Sequence, residues 1–225
     1  MSGTSKAISQ GQAAQLSQDA VDKVIKRWGI YIPREFHSIQ AQQIFVLHAD
    51  EPSLRVAFAP TWSNLFQRVV QSPDPAATVS LPGGFVTPEL DQRKRKIHVN
   101  ISAQEFDWLG LFTHEFVHWL SHPRFYPLFY KSVPGTTNDI VEGLTDYITL
   151  KCMKGYADGL TPVAMQEYLC ACAARSVAKL KKSERAAYNW AGQYTRARNW
   201  LKAAPGNERA ALEFVFRGVQ THLPF

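Results

Sequence analysis

His114 and His118 stand four residues apart with the carboxylate of Glu115 beside the first. Together they are equipment for binding one divalent metal ion and for working on the water it holds. On an α-helix, residues i and i+4 share a face, so both imidazoles can reach a common point. Glu115, about 100° round the axis, can reach solvent bound there. A catalytic zinc takes three protein ligands and leaves one corner open, so a third donor is required from elsewhere in the chain. A core helix with histidines satisfied by neighbouring carbonyls is the simpler account of one such His, but it leaves the pair with Glu115 unexplained.

The elements that must carry these residues are legible around them. Ser102 and Glu105 form a capping-box pattern before an apolar run, and Pro123 follows as a stop. Leu109, Phe112, Phe116, Trp119 and Leu120 fall opposite the two histidines, so the helix is expected to be anchored by that side. Downstream, Thr136, Thr137 and Asn138 are cap-type residues, and Ile140, Leu144, Ile148 and Cys152 recur at helical spacing. Glu142 lies on this second helix and is the best offer for the third ligand. Asp146, one turn on, is placed to hold the far nitrogen of a ligating imidazole. A solvated acidic helix edge is the competing reading of that pair.

His-Glu-x-x-His followed about two dozen residues later by Glu-x-x-x-Asp resembles the gluzincin metallopeptidases, the thermolysin-like branch of the zincins. Gly143 and Tyr147 extend the match to a Glu-Gly-x-x-Asp-Tyr string. The resemblance covers residues 97 to about 150, roughly a quarter of the chain. It implies that His114, His118 and Glu142 ligate zinc, that Glu115 is the general base, and that Asp146 partners His114. A metzincin is excluded by spacing, because Ser121, His122 and Pro123 stand where that motif continues. His122 reads instead as a cationic or neutral cap at the helix C-terminus.

Peptidases of this kind pair an extended substrate with a sheet edge. Lys96 to Ile101 alternates polar and β-branched residues as a half-buried strand does, which makes Ile97, His98, Val99 and Asn100 the expected substrate-binding edge strand. Gly84 to Thr87 is its expected hairpin partner, with residues 88–95 as the turn. The run Arg93-Lys94-Arg95-Lys96 reads first as charge protecting an exposed strand and second as a patch for acidic partners. A donor to the developing oxyanion is also needed. After Glu142 the only His is His222, near the end of the sequence, so a tyrosine is expected. The resemblance points to Tyr194, with Tyr188 the alternative; either could instead be packed with its hydroxyl at the surface.

At 225 residues and 45% hydrophobic content the chain can build a full core without disulfides, and Cys152, Cys170 and Cys172 lack the paired spacing of a zinc ribbon. Residues 1 to 18, rich in Ser, Gln, Gly and Ala, read as a flexible tail without the features of a signal peptide, and residues 19 to 225 as one domain. No 18-residue apolar run is present, so a soluble protein is expected, cytoplasmic or exported by a signal-independent route. Leu16 to Trp28 reads as an opening helix. Gln43 to His48, Leu54 to Phe58 and Thr78 to Leu81 read as short strands, and the remainder from Ser102 as helices with a break at Pro205-Gly206. The aromatic residues Phe125, Tyr126, Phe129 and Tyr130 lie between the two ligand helices and read as packing or as a specificity pocket.

The expected fold is therefore α+β and zincin-like. A small N-terminal mixed or antiparallel sheet has an edge strand beside the active-site helix, a mostly helical C-terminal half follows, and the cleft falls between a lobe ending near residue 121 and the helical lobe. The expected activity is zinc-dependent hydrolysis of peptide bonds in a protein or peptide substrate. A toxin or effector delivered to another cell, opposed by an inhibitor or immunity protein, is one setting for it. A zinc-binding protein without turnover and a zinc hydrolase of a non-peptide amide are the alternatives. The net charge of +6 suits acidic surfaces, yet no nucleic-acid module is visible.

Overall fold

A computed structural model describes residues 7–61, 83–102, 108–125, 138–152, 197, 199, 201–204 and 206–219. The first helix, α1 (Gln10–Trp28), begins at the tenth residue, inside the segment 1–18 that composition assigns to a tail. Its start is a capping box: the Ser9 amide donates to Gln12 Oε1 at 3.0 Å and Ser9 Oγ accepts from the Gln12 amide at 3.3 Å. Gln and Ser look like linker composition, but here they satisfy the exposed amides of a first turn. Ala13, Ser17, Ala20, Val21, Val24 and Trp28 form the buried stripe, small at one end and large at the other.

A single helical turn, α2 (Ala41–Ile44), leads into β1 (Phe45–His48). Residues Leu54 to Phe58, expected as a strand, lie instead within helix α3 (Glu51–Thr61). Asp50 Oδ1 accepts from the Ser53 amide at 2.8 Å, and Arg55 pairs with Glu51 one turn back at 2.7 Å. Leu54 and Phe58 are buried while Val56 is 75% exposed. Apolar residues at 54, 56 and 58 fit period two, but only 54 and 58 share a helical face, and burial follows that face.

The hairpin of β2 (Gly84–Val86) and β3 (Ile97–Asn100) forms as expected, with Val86 opposite Ile97 and Gly84 opposite Val99. β1 also pairs with β3, in parallel, with Phe45 opposite Ile97. The three-stranded sheet thus has the order β1-β3-β2, and the fold is α+β with a small mixed sheet. This corrects one expectation. Ile97, His98, Val99 and Asn100 belong to the middle strand, whose two edges are already paired, and they are not available as a substrate's edge. The parallel partner arrives from fifty residues upstream, a pairing that local alternation cannot reveal.

Helices α4 (Trp108–Leu120) and α5 (Asn138–Cys152) complete the core, together with α6 (Asn207–Arg217). α4 lies between α1, the sheet and α5, and is buried on almost every side. Phe112 meets Phe45 edge-on at 5.4 Å, and Phe116 stacks on Trp119 at 5.8 Å. The Ser102–Glu105 box falls partly outside the described residues; Ser102 itself donates its amide and its hydroxyl to Asn100 Oδ1 in a turn. α6 starts after Gly206 and ends at Gly218, both at positive φ (92° and 63°), as the sequence break anticipates. Its Val215 carbonyl accepts from the His122 amide at 2.7 Å, and Phe214 packs edge-on against Phe125. Among the described residues no helix is long and apolar enough to cross a membrane.

Candidate metal centre

The two histidine side chains meet as the i, i+4 spacing demands: His114 Nε2 and His118 Nε2 are 3.0 Å apart. From α5, the Glu142 carboxylate closes the triangle, 3.2 Å from His114 Nε2 and 3.4 Å from His118 Nε2. At the roughly 2.0–2.1 Å bonds that zinc makes to nitrogen or oxygen, tetrahedral donors stand about 3.3 Å from one another. The three separations fit that figure. The donor set of two imidazoles and one carboxylate suits zinc chemically, and among the described residues no fourth side chain joins it. Among the described residues this is the one His, Cys, Asp and Glu grouping able to hold a metal ion.

The neighbours orient it. His114 Nδ1 donates to Asp146 Oδ1 at 3.0 Å, so the neutral ring carries its proton there and turns a lone pair on Nε2 toward the triangle. Asp146 and Glu142 lie one turn apart on α5, which is why one helix supplies both a donor to the triangle and the support for its neighbour. Burial opposes charge on His114, but hydrogen bonds to Asp146 and Glu142 outweigh it and raise its pKa well above 6.5. Glu142 is only partly exposed, and although that desolvation opposes its charge, His118 and His114 hold it below the usual carboxylate range. Glu115 is a third case. Burial pushes its pKa up, partly offset by the two histidines.

Two residues from the hairpin shape the surroundings, and neither was singled out by sequence. Gly84 of β2 lies directly against Glu115: a β-carbon built there would stand 3.1 Å from Glu115 Cγ. A glycine inside a strand is a known sign of close approach, so Gly83-Gly84 held the clue. Arg95, read as one of four solvated charges, is fully buried at the C-terminal end of α4. Its Nη1 donates to the carbonyls of Trp119 at 3.0 Å and Ser121 at 2.6 Å, and its Nε to Glu89 O at 2.6 Å. Lys96 reaches Gln43 O at 2.6 Å, while Arg93 and Lys94 remain exposed. Of the cationic and neutral forms expected for His122, the surroundings favour the neutral one: burial, Arg124 and Arg95 lower its pKa, and its Nδ1 accepts from the Arg124 amide.

His98 lies away from the metal centre. On the sheet face under α3 it stacks on Phe85 at 4.8 Å and shares a 2.8 Å hydrogen bond with His48. Cys152 is buried with its thiol pushed up to about 12, the mark of an inert core residue. Tyr188, Tyr194, His222, Cys170, Cys172, residues 78–81 and the aromatic residues 126, 129 and 130 fall outside the described residues. Comparison with protein-family models, curated proteins and solved structures finds no match to this chain.

Proposed function

We propose that this chain is a zinc-dependent peptidase of gluzincin type. The observation that carries the reading is the convergence of His114, His118 and Glu142 within 4.8 Å, with Glu115 buried beside them and Asp146 orienting His114. A structural zinc site has no use for a proton acceptor next to the open position, and Glu115 is such a group. Zinc held by this triad would lower the pKa of bound water toward neutrality and polarise a carbonyl. Glu115, its pKa raised by burial, would accept the proton released as water attacks and pass it to the leaving amine. A tyrosine hydroxyl, from Tyr194 or Tyr188, would face the oxyanion.

A peptide is favoured over other amides by the strand beside the base. The Asn100 amide donates to Gly83 O and the Thr87 amide to Lys96 O, so these alternate residues face β3 and Gly84 turns its amide and carbonyl the other way. The backbone groups of Gly84, beside Glu115, are where an extended peptide would pair.

The test is metal content and proteolysis of an unfolded protein such as reduced casein, for the wild type, Glu115→Gln and Glu142→Ala. Equimolar zinc in the wild type and Glu115→Gln, zinc loss in Glu142→Ala, and cleavage by the wild type alone are expected. Zinc without cleavage of any peptide would leave a binding protein; zinc with turnover only on small amides would favour the non-peptide hydrolase.

A further inference from the structure

His118 is two residues from the end of α4, in the turn where a helix ordinarily frays because its last carbonyls lack partners. A metal ligand there needs that turn held. The β2–β3 connection supplies the hold. Gln92 Nε2 donates to Leu120 O at 2.6 Å and to Ser121 O at 3.2 Å, while Arg95 takes Trp119 O and Ser121 O and lies 3.5 Å from His118 O. The contact is reciprocal, since Trp119 Nε1 donates to Arg95 O at 3.0 Å. A guanidinium at this end also opposes the negative pole of the helix dipole, and its several carbonyl partners offset the cost of burying its charge.

The same hairpin touches α4 a second time, through Gly84 against Glu115, about one turn before His118. Two contacts along one helix fix its axial position relative to the strand. We propose that Arg95 and Gln92 are positioning residues of the metal centre: they clamp the last turn of α4, keep His118 Nε2 on the triangle, and tie the ligand turn to the strand that borders the base. The inference rests on the metal-centre reading above.

Apo-protein carrying Gln92→Ala or Arg95→Lys, titrated with cobalt(II) and with zinc against a chelating dye, tests it. Arg95→Lys keeps the charge and loses the fork, so it separates geometry from electrostatics. Asp50→Ala, which removes the cap of α3 away from the site, serves as the control for general destabilisation. Metal affinity about tenfold weaker in both clamp variants, an altered cobalt visible spectrum, and a fall in kcat at little-changed KM are expected, with Asp50→Ala binding as the wild type does. Wild type that binds metal while both clamp variants bind within twofold of it, with the same spectrum, would overturn the clamp alone. Wild type that binds no metal would overturn the metal-centre reading and the clamp with it.

Discussion

Gly84 and Glu115 touch across the strand–helix junction so closely that a methyl group at residue 84 would stand 3.1 Å from Glu115 Cγ and 3.2 Å from the His98 carbonyl oxygen. The carbonyl belongs to the central strand and cannot yield, so the added methyl must displace the Glu115 side chain or the β2 backbone. Gly84→Ala should therefore retain zinc and lose at least about tenfold in kcat, roughly 1.4 kcal/mol of barrier. Metal content beside steady-state kinetics decides it, and full activity in Gly84→Ala would mean that this contact does not set the position of Glu115.

Asp146 holds the His114 ring by a 3.0 Å hydrogen bond, and under the proposed function it would act on the metal through that ring. Replacing it with Asn keeps the shape and a hydrogen-bonding group, but removes the charge and lets the amide present a donor to Nδ1. Asp146→Asn should weaken zinc binding by about 10–100-fold, as loss of a ligand's partner typically does. Competition against a chelator of known affinity reads it directly.

Metal removal should be visible in stability. Free zinc at a thousand times its Kd stabilises the fold by about 4 kcal/mol, provided the unfolded chain does not compete. The melting temperature should drop on adding a chelator and recover on adding zinc, and Glu142→Ala should abolish both responses.

The His48–His98 pair predicts acid sensitivity separate from the metal centre. Burial, followed by the nearby His48 and Lys96, lowers the His98 pKa from 6.5 to about 4. A folded-state pKa below the unfolded value means that the unfolded chain takes up the proton first. The contribution is fully present above pH 6.5, declines as pH falls, and is exhausted below about 4. Because the ring is half-buried, its worth is about 1–2 kcal/mol after screening. His98→Gln should flatten the pH dependence of metal-free stability between pH 6.5 and 4. An unchanged slope in denaturant titrations would remove His98 as its source.

Much of the centre was legible because its logic is short-range. His114, Glu115 and His118 lie within two helical turns, and Glu142 and Asp146 within another two, so helical periodicity alone puts each set on its working face. The β2–β3 hairpin was readable for the same reason, its partners being close in the chain. Local signals also existed where the reading went astray: the Ser9–Gln12 box of α1 and the Asp50 cap of α3 were masked by linker-like composition and by apolar residues compatible with either period.

Other features had no local signal. β3 became the central strand because β1 pairs with it from fifty residues away, and Arg95 differs from Arg93 only in facing a helix end that needed donors. The encounter of Glu142 with the histidine pair is of this kind too. Spacing along the chain assigns a side chain to a face of its own element; which faces meet depends on how the elements bury their apolar surface together, a balance over the whole core that no short window contains.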